Sequence, residues 1–136
     1  MKRRVVYLDM DGTIYNLYGI NGWLKGLRSE EAGVFSHDER LITEEDLFRY
    51  FPPNRYEIRV LSMTPKGASK KYCAQVIAEK NAWLDHYFPS LTKRIYRVYG
   101  NNKNLAHSED KILVDDSEAI RSTFRGIAIA PPWLTI

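Results

Sequence analysis

The stretch RVVYLDMDGT, Arg4 to Thr13, decides how this chain is read. Val5 to Leu8 form an apolar run that ends in two carboxylates, Asp9 and Asp11, one residue apart. A short apolar run closed by a turn signal reads as a strand buried on both faces. In an open parallel sheet the carboxyl ends of the strands face the crevice where ligands bind, so both acids are expected there. Gly12 supplies the backbone freedom that such a turn needs, and Thr13 can cap the segment after it.

Outward from this stretch, ILVDD from Ile112 to Asp116 repeats the same form, an apolar strand running into paired acids. Adjacent carboxylates behind a buried strand are costly unless a cation compensates them. Four carboxylates at neighbouring strand ends favour a hard divalent ion over a network of salt bridges, and Mg²⁺ is the expected cofactor. Further strands are read at Tyr56 to Ser62, Arg94 to Tyr99 and Ile127 to Ala130. A helical stripe of Cys73, Val76, Ile77, Leu84 and Tyr87 runs between Ser69 and Phe88. This alternation predicts an α/β fold: a Rossmann-like three-layer domain with a mostly parallel five-stranded sheet.

A chain of 136 residues suits one domain, residues 1–136. Residues 15–55 do not read as one crossover helix and are expected to form a small cap-like helical insert after the first strand. Within it Asn21 is the expected cap of a short helix through Leu27. Thr43 with Asp46 marks a second helix, which Pro52-Pro53 stops. Trp23 and Phe35 read as the insert's own core rather than a platform for substrate.

Composition excludes more than it identifies. Apolar content of 44%, charged content of 27% and a net charge of +3 are those of an ordinary soluble protein. Lys2, Arg3 and Arg4 cluster, as do Lys66, Lys70 and Lys71, and read as a scattered solvated surface rather than a nucleic-acid track. The first apolar run is too short for a signal sequence or a membrane span. The single cysteine, Cys73, excludes an internal disulfide and fits a reducing compartment, so cytoplasm is expected. His37, His86 and His107 lack ligand spacing. Lys103, in the loop after the third strand, has a contact with substrate and ordinary solvent exposure as open alternatives.

Together, DMDGT, a hydroxyl residue (Ser62) at the end of strand two, a lysine and ILVDDS resemble the haloacid dehalogenase-like (HAD) hydrolase superfamily. TPK at Thr64 to Lys66, KYC at Lys71 to Cys73 and EKNAWLDHYFP from Glu79 to Pro89 are most similar to 5'(3')-deoxyribonucleotidase-type phosphatases and small phage or bacterial relatives. The resemblance implies a phosphatase acting through a phosphoaspartate on Asp9, with Asp11 as acid/base. It implies that Ser62 and Lys80 bind phosphate, and that Asp9, Asp115, Asp116 and the Asp11 backbone carbonyl hold the metal. A small phosphorylated substrate is expected, a nucleotide monophosphate first, with nucleic-acid ends and a phosphate-binding module without turnover as alternatives. Asp11, crowded by like charges, is expected to have a raised pKa.

Lys80 sets two arguments against each other. It lies on the apolar stripe, one turn from Val76 and from Leu84. Yet a helix beginning at Ser69 would carry it roughly 16 Å from the end nearest the site, at ~1.5 Å per residue. Both hold only if the chain breaks between Pro65 and Tyr72 and regular helix starts near Ala74 to Ala78, with the ammonium on Asp9 or Asp115. Otherwise Lys66 or Lys70 takes the role.

Overall fold

The computed structural model describes residues 2–98 and 103–134. Five strands, β1 (Arg4–Leu8), β2 (Tyr56–Thr64), β3 (Arg94–Val98), β4 (Ile112–Val114) and β5 (Ile127–Ile129), form one sheet in the order β3-β2-β1-β4-β5. All four neighbouring pairs are parallel. The expected α/β Rossmann-like layout is present, and the sheet is parallel throughout rather than mostly so. Tyr99, the expected last residue of the third strand, lies outside the described residues.

Strand order follows from where each run is buried. The chain winds outward from β1 to β2 and β3, then returns to the other side of β1 for β4 and β5. The reversal falls between β1 and β4, the two strands that end in acids, and ligand crevices form at such switch points. Side chains alternate between the sheet's faces. Val6, Leu8, Val60 and Val114 join one core cluster with Val76, Trp83 and Leu84, and Tyr7, Leu61 and Leu113 join a second with Phe124. The first face is covered by α3 (Lys70–Tyr87), and the second by the one-turn helix α4 (Glu118–Arg121) and its neighbours.

Between β1 and β2 lie a 3-10 turn (Leu17–Gly19), α1 (Trp23–Arg28) and α2 (Glu44–Tyr50). Thr43 caps α2 as its pattern predicts, its side chain accepting from Asp46 N at 3.2 Å. Asn21 does not cap α1. Gly22 stands at that position with φ 78°, a left-handed conformation that asparagine tolerates less well than glycine, and it makes no side-chain cap.

The expected break before Ala74 is absent: α3 runs unbroken from Lys70 to Tyr87, capped by the Ser69 hydroxyl on Tyr72 N at 3.1 Å. The distance argument fails because the first turns of α3 extend beyond the sheet and pack on the insert. The Tyr72 hydroxyl donates to Glu31 O at 2.8 Å, and the Glu79 carboxylate accepts from Gly33 N at 2.8 Å and Phe35 N at 3.1 Å. The end of the sheet therefore lies beside the middle of the helix, where Lys80 donates to Met63 O at 2.8 Å. Among the described residues no helix is long and apolar enough to cross a membrane.

Candidate active site

The first strand delivers its carboxylates as its sequence implies. Asp9 N donates to Val114 O at 2.9 Å, so the ladder continues one residue past β1 and fixes Asp9 beside β4. Beyond it the chain turns back tightly. Ile14 N and Tyr15 N both donate to Met10 O, at 3.0 and 2.9 Å, and Gly12 takes φ +80°. A Cβ on Gly12 would run into Asp116 Oδ2 and stand 2.6 Å from Tyr18 Cε2. Glycine is therefore required twice, by conformation and by space.

Three of the four acids converge. Oxygens of Asp9, Asp115 and Asp116 lie within 4.8 Å of one another, the one such group among the described residues. Thr13, fully buried, donates its hydroxyl to Asp9 Oδ2 at 2.7 Å, and Ser117 N donates to Asp115 Oδ1 at 2.9 Å. Asp11 stands apart. Its Oδ2 accepts from Lys80 Nζ at 2.8 Å, while its Oδ1 is buried with no hydrogen-bond partner.

Two lysines are built into this floor. Lys103, 1% exposed, donates to Asp9 Oδ1 at 2.6 Å, Asp115 Oδ2 at 2.8 Å and Leu61 O at 3.0 Å. Lys80, fully buried, donates to Asp11 Oδ2, Ser62 Oγ and Met63 O, each at 2.8 Å. Its ammonium also lies 4.5 Å from the centre of the Phe35 ring. An ammonium has three protons, so both lysines are saturated.

The expectation for Lys80 is therefore corrected in place and partner. It meets Asp11, not Asp9 or Asp115, and strand alternation is the reason. Ser62 follows Val60 on the α3 face, whereas Asp9 and Asp115 follow Tyr7 and Leu113 on the other. Lys66 and Lys70, the expected substitutes, are exposed and pair with neither acid. The lysine beside Asp9 is Lys103. Ser62, 1% exposed, turns its hydroxyl to Lys80, and the residues of β2 that line the cavity are Met63 and Thr64. Thr64 is a lining residue that sequence reasoning misses, although its place two residues past Ser62 puts it on the same face.

The crowding of the floor shifts its acids. Burial, opposed by Lys80, raises the pKa of Asp11. Burial and the Asp9 charge raise that of Asp115. Burial, a hydrogen bond shared with Asp9 and repulsion from both neighbours push Asp116 up to about 8. Burial alone would lower the Lys103 pKa, but Asp9 and Asp115 outweigh it and hold the ammonium charged. The oxygens that converge are all hard donors, and the crowding that raises Asp115 and Asp116 is what a cation would relieve. That fits a divalent cation held by Asp9, Asp115 and Asp116. The Asp11 carboxylate, turned to Lys80, is not part of this group.

Above the floor opens a cavity of about 560 Å³, within the range of small-molecule sites. Leu17, Tyr18, Trp23, Leu24, Leu27 and Phe35 of the insert line it. Phe35 is buried core as expected. Trp23 is half-buried and packs on that core while its ring meets Tyr18 edge-on at 5.0 Å. Compared with known proteins, the chain matches no family model and no curated sequence.

Proposed function

We propose that the protein is a Mg²⁺-dependent phosphomonoester hydrolase that forms a phosphoaspartate on Asp9. The observation that carries this reading is the split of the acids into two environments. Asp9, Asp115 and Asp116 form one cluster, in which Lys103 bridges Asp9 and Asp115, while Asp11 lines the same cavity but is turned to Lys80, with its second oxygen buried and unpartnered. A dehalogenase would need neither the cation nor Asp11. The resemblance of DMDGT and ILVDDS to HAD phosphatases points the same way, and a nucleotide monophosphate is the small-molecule substrate it favours.

Bound by the three carboxylates, Mg²⁺ supplies the charge that offsets repulsion between Asp9 and an incoming phosphate. The chain's own residues do the rest. Lys103 and Thr13 fix the Asp9 carboxylate, whose remaining lone pairs are free to attack phosphorus in line. As the O–P bond to Asp9 forms, the bond to the leaving oxygen breaks and Asp11 gives that oxygen a proton. Asp11, now ionised, takes a proton from water. The resulting hydroxide displaces Asp9 from phosphorus and releases phosphate. Lys80 holds Asp11 in position throughout and, with all three protons committed, does not itself reach a phosphoryl oxygen.

The test is turnover across nucleotides, sugar phosphates and aryl phosphates with Mg²⁺, together with trapping by beryllofluoride. Chelator-sensitive phosphate release and an adduct on Asp9 are expected. Turnover unaffected by excess chelator would overturn the proposal.

A further inference from the structure

The mouth of the cavity carries charge that the floor does not use. Arg28, at the end of α1, and Lys66, in the loop between β2 and α3, both line the cavity and both are exposed. Among the described residues neither has a hydrogen-bonding or ion-pair partner. Their two segments are clasped together, because the Glu30 carboxylate accepts from Ser69 N at 3.0 Å and Ser69 Oγ at 2.6 Å. Lys70 and Lys71, equally exposed and unpartnered among the described residues, follow Ser69 in the first turn of α3. Four cations and two acids, Glu30 and Glu31, leave this rim at +2.

The rim is electrostatically unfavourable as it stands. The first turn of α3 holds no acidic residue and two lysines, although a helix N-terminus repels cations. By contrast α2 opens with Glu44, Glu45 and Asp46. Beside the rim the insert exposes rings and aliphatic surface: Tyr18 is 55% and Leu24 42% exposed, and both line the cavity with Trp23. A lone small phosphate needs only the floor. A row of unpaired cations next to exposed aromatic rings matches an unpaired nucleic-acid strand, with phosphates on the cations and a base on the rings.

Resting on the hydrolase reading above, we infer that the group this site removes is the terminal phosphate of a single nucleic-acid strand. The end phosphate enters above Asp9, the terminal base meets Tyr18 and Trp23, and the next phosphates lie on Arg28, Lys66, Lys70 and Lys71. A duplex end, whose bases stay stacked and paired, offers the rings less.

The test compares thymidine monophosphates with short oligothymidylates phosphorylated at the 5' or 3' end, using the full chain with Mg²⁺. One of the oligonucleotides is expected to exceed its mononucleotide in kcat/KM by roughly tenfold or more, because only the oligonucleotide places further phosphates on the basic rim. That advantage should fall with salt, with a log–log slope of about −1.4 to −2 for two or three phosphates contacted. In the variant K66E/K70E/K71E the ratio should fall to near one, while cooperative melting reports an intact fold. As a check independent of turnover, the Asp9→Asn protein should bind the phosphorylated strand more tightly than the unphosphorylated one. Equal kcat/KM for mononucleotide and oligonucleotide, or an advantage that survives high salt and the triple variant, overturns this inference and leaves the hydrolase reading standing. Hydrolysis of neither also overturns this inference, and only if sugar and aryl phosphates are likewise untouched by the folded protein does the hydrolase reading itself fall.

Discussion

On one face of the sheet a lysine reaches the site from the middle of α3, and on the other a lysine reaches it from the loop after β3. Lys80 and Lys103 are equally buried, and each makes three hydrogen bonds. They differ in what they neutralise. Lys80 meets a single carboxylate, Asp11, and its other partners are a hydroxyl and a backbone carbonyl. Lys103 meets two carboxylates of the group that can hold a cation. The first holds Asp11, the proposed acid/base, in place, whereas the second shares its acids with whatever else binds there. Equal burial thus conceals unequal exposure to chemistry.

The largest effect that tests this division is on the acid itself. Asp9→Asn removes the proposed nucleophile and should abolish phosphate release while leaving cooperative unfolding intact. A purified Asp9→Asn sample with more than a trace of turnover breaks the assignment. Next, Lys103→Met should lower kcat by about 10², the scale expected when a reacting group loses the contact that positions it. The metal-free Lys103→Met protein should also lose stability, and Mg²⁺ should restore much of it, since the cation neutralises the same acids.

Lys80→Met sharpens the contrast. Removing one partner of a buried ion pair typically costs about 3 kcal/mol, and Mg²⁺ should not restore it because Asp11 lies outside the cation group. Denaturant melts of both lysine variants, with and without Mg²⁺, read this directly. Equal rescue of the two would erase the distinction.

A smaller effect comes from the crowded acids. Asp116 is raised from 3.8 to about 8 in the metal-free protein, so the folded state binds its proton more tightly than the unfolded chain does. The stability this contributes is complete below the unfolded value. It should be lost as pH rises from about 4 towards about 8. Saturating Mg²⁺ should flatten that slope, which melts across this pH range would reveal. Smallest, and remote from both lysines, Thr43→Ala should cost about 1 kcal/mol by removing the α2 cap, with kcat unchanged.

Local sequence is enough for the strands and the acids. Short apolar runs closed by carboxylates are local patterns, and β1 and β4 begin and end where RVVYL and ILV do. The unbroken start of α3, where a break is expected, depends on packing against the insert, but the Thr43 cap is legible because it depends on a neighbour three residues away. The lysine partners are not. Whether an ammonium reaches Asp9 or Asp11 depends on which face of the sheet carries each residue and on how far α3 extends past its edge. Both are settled by packing between segments dozens of residues apart. Alternation from Val60 to Ser62 and from Tyr7 to Asp9 contains the answer for Lys80, but only once α3 is known to cover the Val60 face. Lys103 gives no periodic signal at all, since it sits in a loop and is placed by Leu61, Asp9 and Asp115 together. The basic rim, too, exists only in the folded chain. Arg28 and Lys66 are 38 positions apart in a chain whose charges look scattered, and the clasp between Glu30 and Ser69 gathers them at one mouth.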